Sequence, residues 1–172
     1  GRSPNILWKA IAEIVEDDPA FRNKLKIRLA GKISSEVKES IEELGLQKYL
    51  QIEGYVSHKE ALELQNRASI LLLLEIDSLE TRGIIPGKIF EYFAAKRPIL
   101  AIGPENWEAG KMVLDTQSGT YLLFGDKEKV KSWIKDQFYQ KELQGIKRIN
   151  SDISQYHRKE LTGELADLIN KI

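Results

Sequence analysis

Two periods alternate along the chain. From position 4 to 15 the apolar residues Ile6, Leu7, Ala10, Ile11, Ile14 and Val15 recur at three- and four-residue steps, which predicts an amphipathic helix opened by Pro4. Leu25 to Ala30 alternates apolar with polar and then meets Gly31, the pattern of a strand closed by a tight turn. A helix over Ser35–Leu44 stops at Gly45, and a short strand over Tyr49–Glu53 follows. Ser57-His58-Lys59-Glu60 has the serine-to-glutamate spacing of a capping box, which opens a helix running to Arg67. Ile70 to Leu74 is a continuous apolar run too short for an ordinary helix; it reads as a strand buried on both faces, the expected centre of a parallel sheet.

Beyond it, Glu75–Ile85 is a polar loop leading through Pro86-Gly87-Lys88 into a helix that ends near Ala95. Strands over Pro98–Ile102 and Tyr121–Phe124 bracket a helix over Trp107–Leu114. Asp126 is placed to cap a helix reaching Phe138, Gln140–Ser154 reads as a connector, and 155–172 reads as a closing helix. Strands alternating with helices through short connections predict an α/β fold: a Rossmann-like, three-layer α/β/α arrangement around a parallel sheet, as one domain over 1–172.

Composition narrows the function. The 172 residues carry 26 Lys plus Arg against 26 Asp plus Glu, so no net field draws the chain to nucleic acid or anionic lipid. No apolar run is long enough for a membrane-spanning helix. The absence of cysteine removes disulfides, thiolate metal sites and cysteine nucleophiles together, and suggests a reducing compartment. Gly1-Arg2-Ser3-Pro4 runs into a helix pattern without a secretory signal or an initiating methionine, so the chain is expected to be a fragment.

Ligands of open α/β sheets bind outside the carboxyl ends of the strands, which directs attention to Gly31-Lys32, Gly54-Tyr55-Val56, the loop from Glu75 to Lys88, and Gly103-Pro104-Glu105-Asn106. Pro86-Gly87-Lys88 sets a bare backbone and a cation at a helix N-terminus, where free amides favour an anion such as a phosphate. Glu91 lies in the same first turn, and a carboxylate there can accept the hydroxyls of a ribose. Turn chemistry and the helix dipole also account for these residues, and both readings stay open at this point.

Two familiar nucleotide motifs are excluded. Gly83 to Gly87-Lys88 is one residue short of a Walker A loop, with Ile89 where a Ser or Thr would hold magnesium, and no Gly-x-Gly-x-x-Gly follows a predicted strand. Asp17-Asp18 ends a helix rather than a strand and reads as solvated charge. His58 and His157, the only histidines, are far apart, which argues against a metal site. Trp8 and Trp133 read as packing residues, Trp107 as a candidate pocket wall. Lys127, Lys129, Lys131 and Lys135, interleaved with Asp126, Glu128 and Asp136, read as a solvated face.

Three segments, Ile52-Glu53-Gly54-Tyr55-Val56-Ser57-His58, Leu64-Gln65-Asn66-Arg67-Ala68-Ser69-Ile70, and Pro86 through Leu100, resemble in order and spacing the C-terminal domain of group-one GT-B glycosyltransferases. The resemblance extends from Gly1-Arg2, similar to the family's Gly-Arg turn, to Arg158-Lys159-Glu160-Leu161-Thr162, similar to its closing helix. It implies one half of a two-domain enzyme, in which an absent N-terminal domain takes the acceptor and this domain holds a nucleoside diphosphate sugar. A UDP-sugar is the family-level expectation. Glu91 matches the second glutamate of the family's Glu-x7-Glu motif, implied to bind ribose; Gly83 stands where the first glutamate would contact the sugar.

By the same resemblance, Arg2 with Lys88 or Lys32 neutralises the diphosphate, the backbone of Gly54-Tyr55-Val56 reads the base, and the Gly83–Gly87 loop, with Pro86, approaches the donor. The implied reaction transfers a sugar to an acceptor hydroxyl with retention, without metal or other cofactor, in bacterial surface polysaccharide or glycan assembly. The isolated domain is expected to bind donor without turnover. The implied location is cytoplasmic, with contact at the inner face of the plasma membrane made only by the absent half. Two alternatives stand beside it: a non-catalytic Rossmann-like nucleotide-binding or interaction module, and an epimerase-like relative of the same architecture.

Overall fold

A computed structural model describes residues 5–146, 148–150, 152–154 and 156. The chain runs α1 (Asn5–Asp17), α2 (Pro19–Lys24), β1 (Ile27–Ala30), α3 (Ser35–Glu43), β2 (Leu50–Gly54), α4 (His58–Arg67), β3 (Leu71–Leu74), α5 (Lys88–Ala95), β4 (Ile99–Gly103), α6 (Glu108–Asp115), β5 (Gly119–Leu123) and α7 (Lys127–Gln144). Single 3₁₀ turns lie at Gln47–Tyr49 and Leu79–Thr81. All strand pairing is parallel: β1 with β2, and β3-β4-β5 in that order. The fold is α/β with parallel strands, as the sequence pattern predicts.

Alternation along the strands sorts side chains into two layers. Leu72, Leu74, Leu100, Ile102 and Leu122 face a core shared with α1, α2, α3 and α7, whose buried contributors include Trp8, Ile14, Phe21, Ile41, Val130 and Ile134. Leu71, Leu73, Ile99, Ala101 and Tyr121 face the opposite core, filled by Ile89 and Phe93 of α5 and by Ala109, Met112 and Val113 of α6. Helices therefore cover both faces of β3-β4-β5.

The centre of the three-stranded ladder is β4, not the leucine run at β3. All five residues of β4 are buried and it is paired on both sides, whereas β3 alternates buried with half-buried positions. Uniform hydrophobicity marks the Ile70–Leu74 run as interior, but only pairing on both sides distinguishes the centre.

Local chemistry corrects several other expectations. Asp18 is no solvated charge: it is buried, and its carboxylate caps α2 by accepting from the Phe21 amide at 3.1 Å and from the Tyr139 hydroxyl. Those two bonds, the tyrosine's first, hold its carboxyl below the usual carboxylate range. Asp126 does not cap α7 with its side chain; its carboxylate reaches back to the Leu123 amide at 2.9 Å. α7 continues to Gln144, so the first residues of the expected connector are helical.

The lysine series is only partly solvated: Lys127 and Lys131 pair with Glu13 on α1, and Lys131 also reaches Asp17 at 3.3 Å. Trp8 is buried and Trp133 packs half-buried on the same core, as expected. The closing helix and His157 lie outside the described residues.

Candidate functional site

The carboxyl ends of β1 and β2 meet first. Ile27 to Leu29 lie opposite Leu50 to Ile52, but a shift in register sets Ala30 against Gly54. Gly54 then turns with φ +67°, a left-handed conformation that glycine adopts without the steric cost of a Cβ. The Gly31 amide donates to the Gly54 carbonyl at 2.6 Å, which sets the exposed Lys32 beside the Gly54-Tyr55-Val56 turn. Tyr55 is 86% exposed, so its ring packs against little of the protein. Val56 is half-buried.

Next along the chain, α4 begins with the expected capping box. Ser57 Oγ accepts from the Glu60 amide at 3.2 Å, and Glu60 Oε2 accepts from the Ser57 amide at 2.7 Å. These reciprocal bonds close off the start of α4. α5 begins differently: Gly87 is its N-cap and no side chain caps it. The Ile89 and Phe90 amides turn back to the Pro86 and Gly87 carbonyls at 3.0 and 3.3 Å. Lys88 is the first helical residue and is exposed; Pro86, half-buried, lies just before the helix.

Glu91 occupies the first turn of α5, its side chain 35% exposed. Gln65 of α4 donates from Nε2 to Glu91 Oε2 at 2.9 Å, and His58 Nδ1 stands 3.8 Å from Oε1. α4 and α5 are fastened to their surroundings on either side of this contact. Arg97 donates from Nε and Nη2 to the Asn66 carbonyl at 2.9 and 2.6 Å, and Tyr92 donates its hydroxyl to Leu72 of β3 at 3.2 Å. Burial, reinforced by Glu91, pushes the Tyr92 phenol above its usual range and keeps it a donor.

Gly83 belongs to a second group. Its loop is fastened to α6 by the Glu108 amide, which donates to the Arg82 carbonyl at 2.8 Å, and by Trp107, whose indole Nε1 donates to the Ile84 carbonyl at 2.8 Å. Trp107 is fully buried rather than a pocket wall, because its ring lies against Gly103, where a Cβ would fall 2.4 Å from the ring. Its amide donates to the Tyr121 hydroxyl at 3.2 Å, and that hydroxyl donates to the Pro104 carbonyl.

Lys32 and the Gly54-Tyr55-Val56 turn thus lie at the ends of β1 and β2, His58 at the head of α4 stands 3.8 Å from Glu91, and Pro86, Gly87 and Lys88 precede Glu91 at the start of α5. Gly83 is anchored separately, and Arg2 lies outside the described residues. Sequence reasoning missed Gln65. The available signal was its spacing: His58 and Gln65 are seven residues apart, two turns of one helix face. A groove of about 550 Å³ lies elsewhere, between α1, α3 and Gln47–Tyr49, where β2 begins rather than ends. Among the described residues no cluster of three His, Asp or Glu could hold a metal, and no helix is long and apolar enough to cross a membrane.

No family model matches this sequence, and no curated protein sequence matches it. Among solved structures the chain is similar to WaaG, a glycosyltransferase involved in lipopolysaccharide biosynthesis, with a TM-score of 0.65 and 16% identity over 84% of this chain. The match covers 36% of the WaaG chain, so the present chain spans about a third of that protein's length. At that identity the likeness is one of fold: the α/β architecture described above resembles that of part of the WaaG chain.

Proposed function

We propose that the chain is the donor-binding domain of a glycosyltransferase, with residues 1–172 forming a single domain whose acceptor-binding partner domain lies N-terminal to it. The observation that carries this reading is Glu91. Its carboxylate stands in the first turn of a helix without a side-chain cap, 3.8 Å from His58, which follows the Gly54-Tyr55-Val56 turn in the chain, and no group among the described residues donates a hydrogen bond to its Oε1. A nucleoside diphosphate satisfies each part. The base lies along Gly54 to Val56 with Tyr55 free to cover its face, the ribose hydroxyls donate to Glu91, and the diphosphate meets Gly87, Lys88, Lys32 and Arg2. The likeness in fold to WaaG supports the same reading.

In the reaction, the bond between the sugar's anomeric carbon and the diphosphate oxygen breaks and the acceptor oxygen bonds to that carbon, with retention of configuration. The diphosphate keeps the electron pair, stabilised by the cations and helix amides. The acceptor proton leaves to a group outside this domain. UDP is the expected carrier, surface glycan assembly at the inner face of the plasma membrane the expected setting, and no bound cofactor is required.

Gly83 favours a second reading. Without a carboxylate at that position the chain has no side chain there for the sugar, as in a nucleotide-binding or interaction module that transfers nothing. Calorimetric titration of the chain with UDP, GDP and ADP tests the first part of the proposal. One nucleotide should bind, and Glu91→Ala should weaken it by about 1–3 kcal/mol, the cost of losing hydrogen bonds to a charged acceptor. Binding indifferent to Glu91, or no binding by the folded chain, would contradict it. Assay of the chain joined to its partner domain separates a transferase from a binding module.

A further inference from the structure

We propose that Gln65 is a positioning residue for the ribose of a ribonucleoside diphosphate: it holds Glu91 by Oε2 so that Oε1 is presented to the sugar hydroxyls. This inference rests on the donor-binding reading above. Three observations carry it. Gln65 Nε2 donates to Glu91 Oε2 at 2.9 Å, and only the amide nitrogen can donate to a carboxylate, which fixes the orientation of the side-chain amide. That orientation leaves Gln65 Oε1 buried without a hydrogen-bond partner. At Glu91 Oε1 the imidazole Nδ1 of His58 is 3.8 Å away, too far for a hydrogen bond.

The second observation separates function from packing. A buried acceptor without a partner destabilises a fold, so an apolar side chain of the same length would serve structure better. What the glutamine adds is its NH2, and among the described residues the only group receiving it is Glu91. The backbone around Gln65 is fixed independently, because the next carbonyl, of Asn66, is held by Nε and Nη2 of Arg97. Gln65 therefore restrains the carboxylate from a rigid base, and a carboxylate restrained through one oxygen loses less freedom when the other accepts a ligand.

The test compares each of UDP, GDP and ADP with its 2′,3′-dideoxy counterpart on the wild-type chain and on Gln65→Met, by calorimetry, with melting temperatures for both proteins. The wild type should prefer the ribonucleotide. Gln65→Met should reduce that preference by about threefold to tenfold, leave the dideoxy affinity unchanged, and melt no lower than wild type. Loss of affinity for both forms in equal measure would assign Gln65 a merely structural role and overturn the inference. So would an unchanged preference, an outcome that leaves the nucleotide reading standing; a wild type that binds both forms alike would overturn the inference together with the ribose contact of Glu91 on which it rests. Absence of binding by any nucleotide to the folded wild type would overturn both.

Discussion

α1 and α7 lie against each other over a continuous apolar interior, and the charges at their margin are paired with one another: Glu13 with Lys127 and Lys131, Asp17 with Lys131, Asp18 with Tyr139. The loops leaving the carboxyl ends of the strands are built otherwise. Tyr55 is 86% exposed, Leu79 71%, and Ile84 and Ile85 are exposed, while α5 starts without a side-chain cap and Glu91 offers an oxygen to which no described residue donates. Both regions belong to one fold and draw on the same residue types. The difference is that the helix layer pairs the charges along the α1–α7 margin with one another, whereas the loops hold groups such as Glu91 in place with an oxygen left open. Such an arrangement is stable only where the supports beneath it are rigid.

Trp107 is the support whose removal should blur the comparison most. Trp107→Ala empties a fully buried site against Gly103 and frees the Ile84 carbonyl, so chemical denaturation should show a loss of about 3–5 kcal/mol, comparable to a core lesion in the helix layer. Trp107→Phe sharpens the contrast: most of the packing stays and the bond to Ile84 goes. It should cost about 1 kcal/mol, with hydrogen exchange rising over 83–87 and unchanged in α1 and α7.

Ser57→Ala, which opens the capping box, should cost a similar 0.5–2 kcal/mol (about 1) and fray the start of α4, with His58 and its approach to Glu91 most affected. The smallest effect belongs to the helix layer. The lysine partners, Lys127 first, hold the Glu13 carboxyl below its usual range. A carboxylate with a lowered folded-state pKa stabilises the protein above its unfolded value and loses that contribution as pH falls through the folded one. Melting temperature should therefore decline below about pH 4, and Glu13→Gln should flatten part of that decline without changing nucleotide affinity.

Much of this was legible in the sequence, for reasons that differ by region. The strands from Leu25 and Ile70, the capping box at Ser57 and the α5 start at Gly87 were visible because period, spacing and turn chemistry act locally. α2 escaped notice because Asp18 serves α1's end and α2's start at once, and a polar residue between two short helices looks like solvated charge. The last turns of α7 escaped because they are polar nearly all round and carry no apolar period. At the candidate site, the positions of Gly54 and Tyr55 after a strand and of Glu91 in the first turn of a helix were legible. Gln65 and the latch role of Trp107 did not, since each depends on a contact with a residue more than twenty positions away.

The central claim is that the carboxyl ends of the strands form the ligand-binding end of this molecule and the helix layer does not. Backbone amide shifts in a nitrogen-resolved NMR titration with UDP, GDP and ADP test it residue by residue. The account predicts that the nucleotide that binds moves the amides of Gly31–Lys32, Gly54–Ser57 and Gly87–Glu91, and leaves Glu13, Lys48 and Tyr49, around the groove beside α1, unmoved. Shifts gathered at that groove, or no shifts at any of these positions, would contradict it.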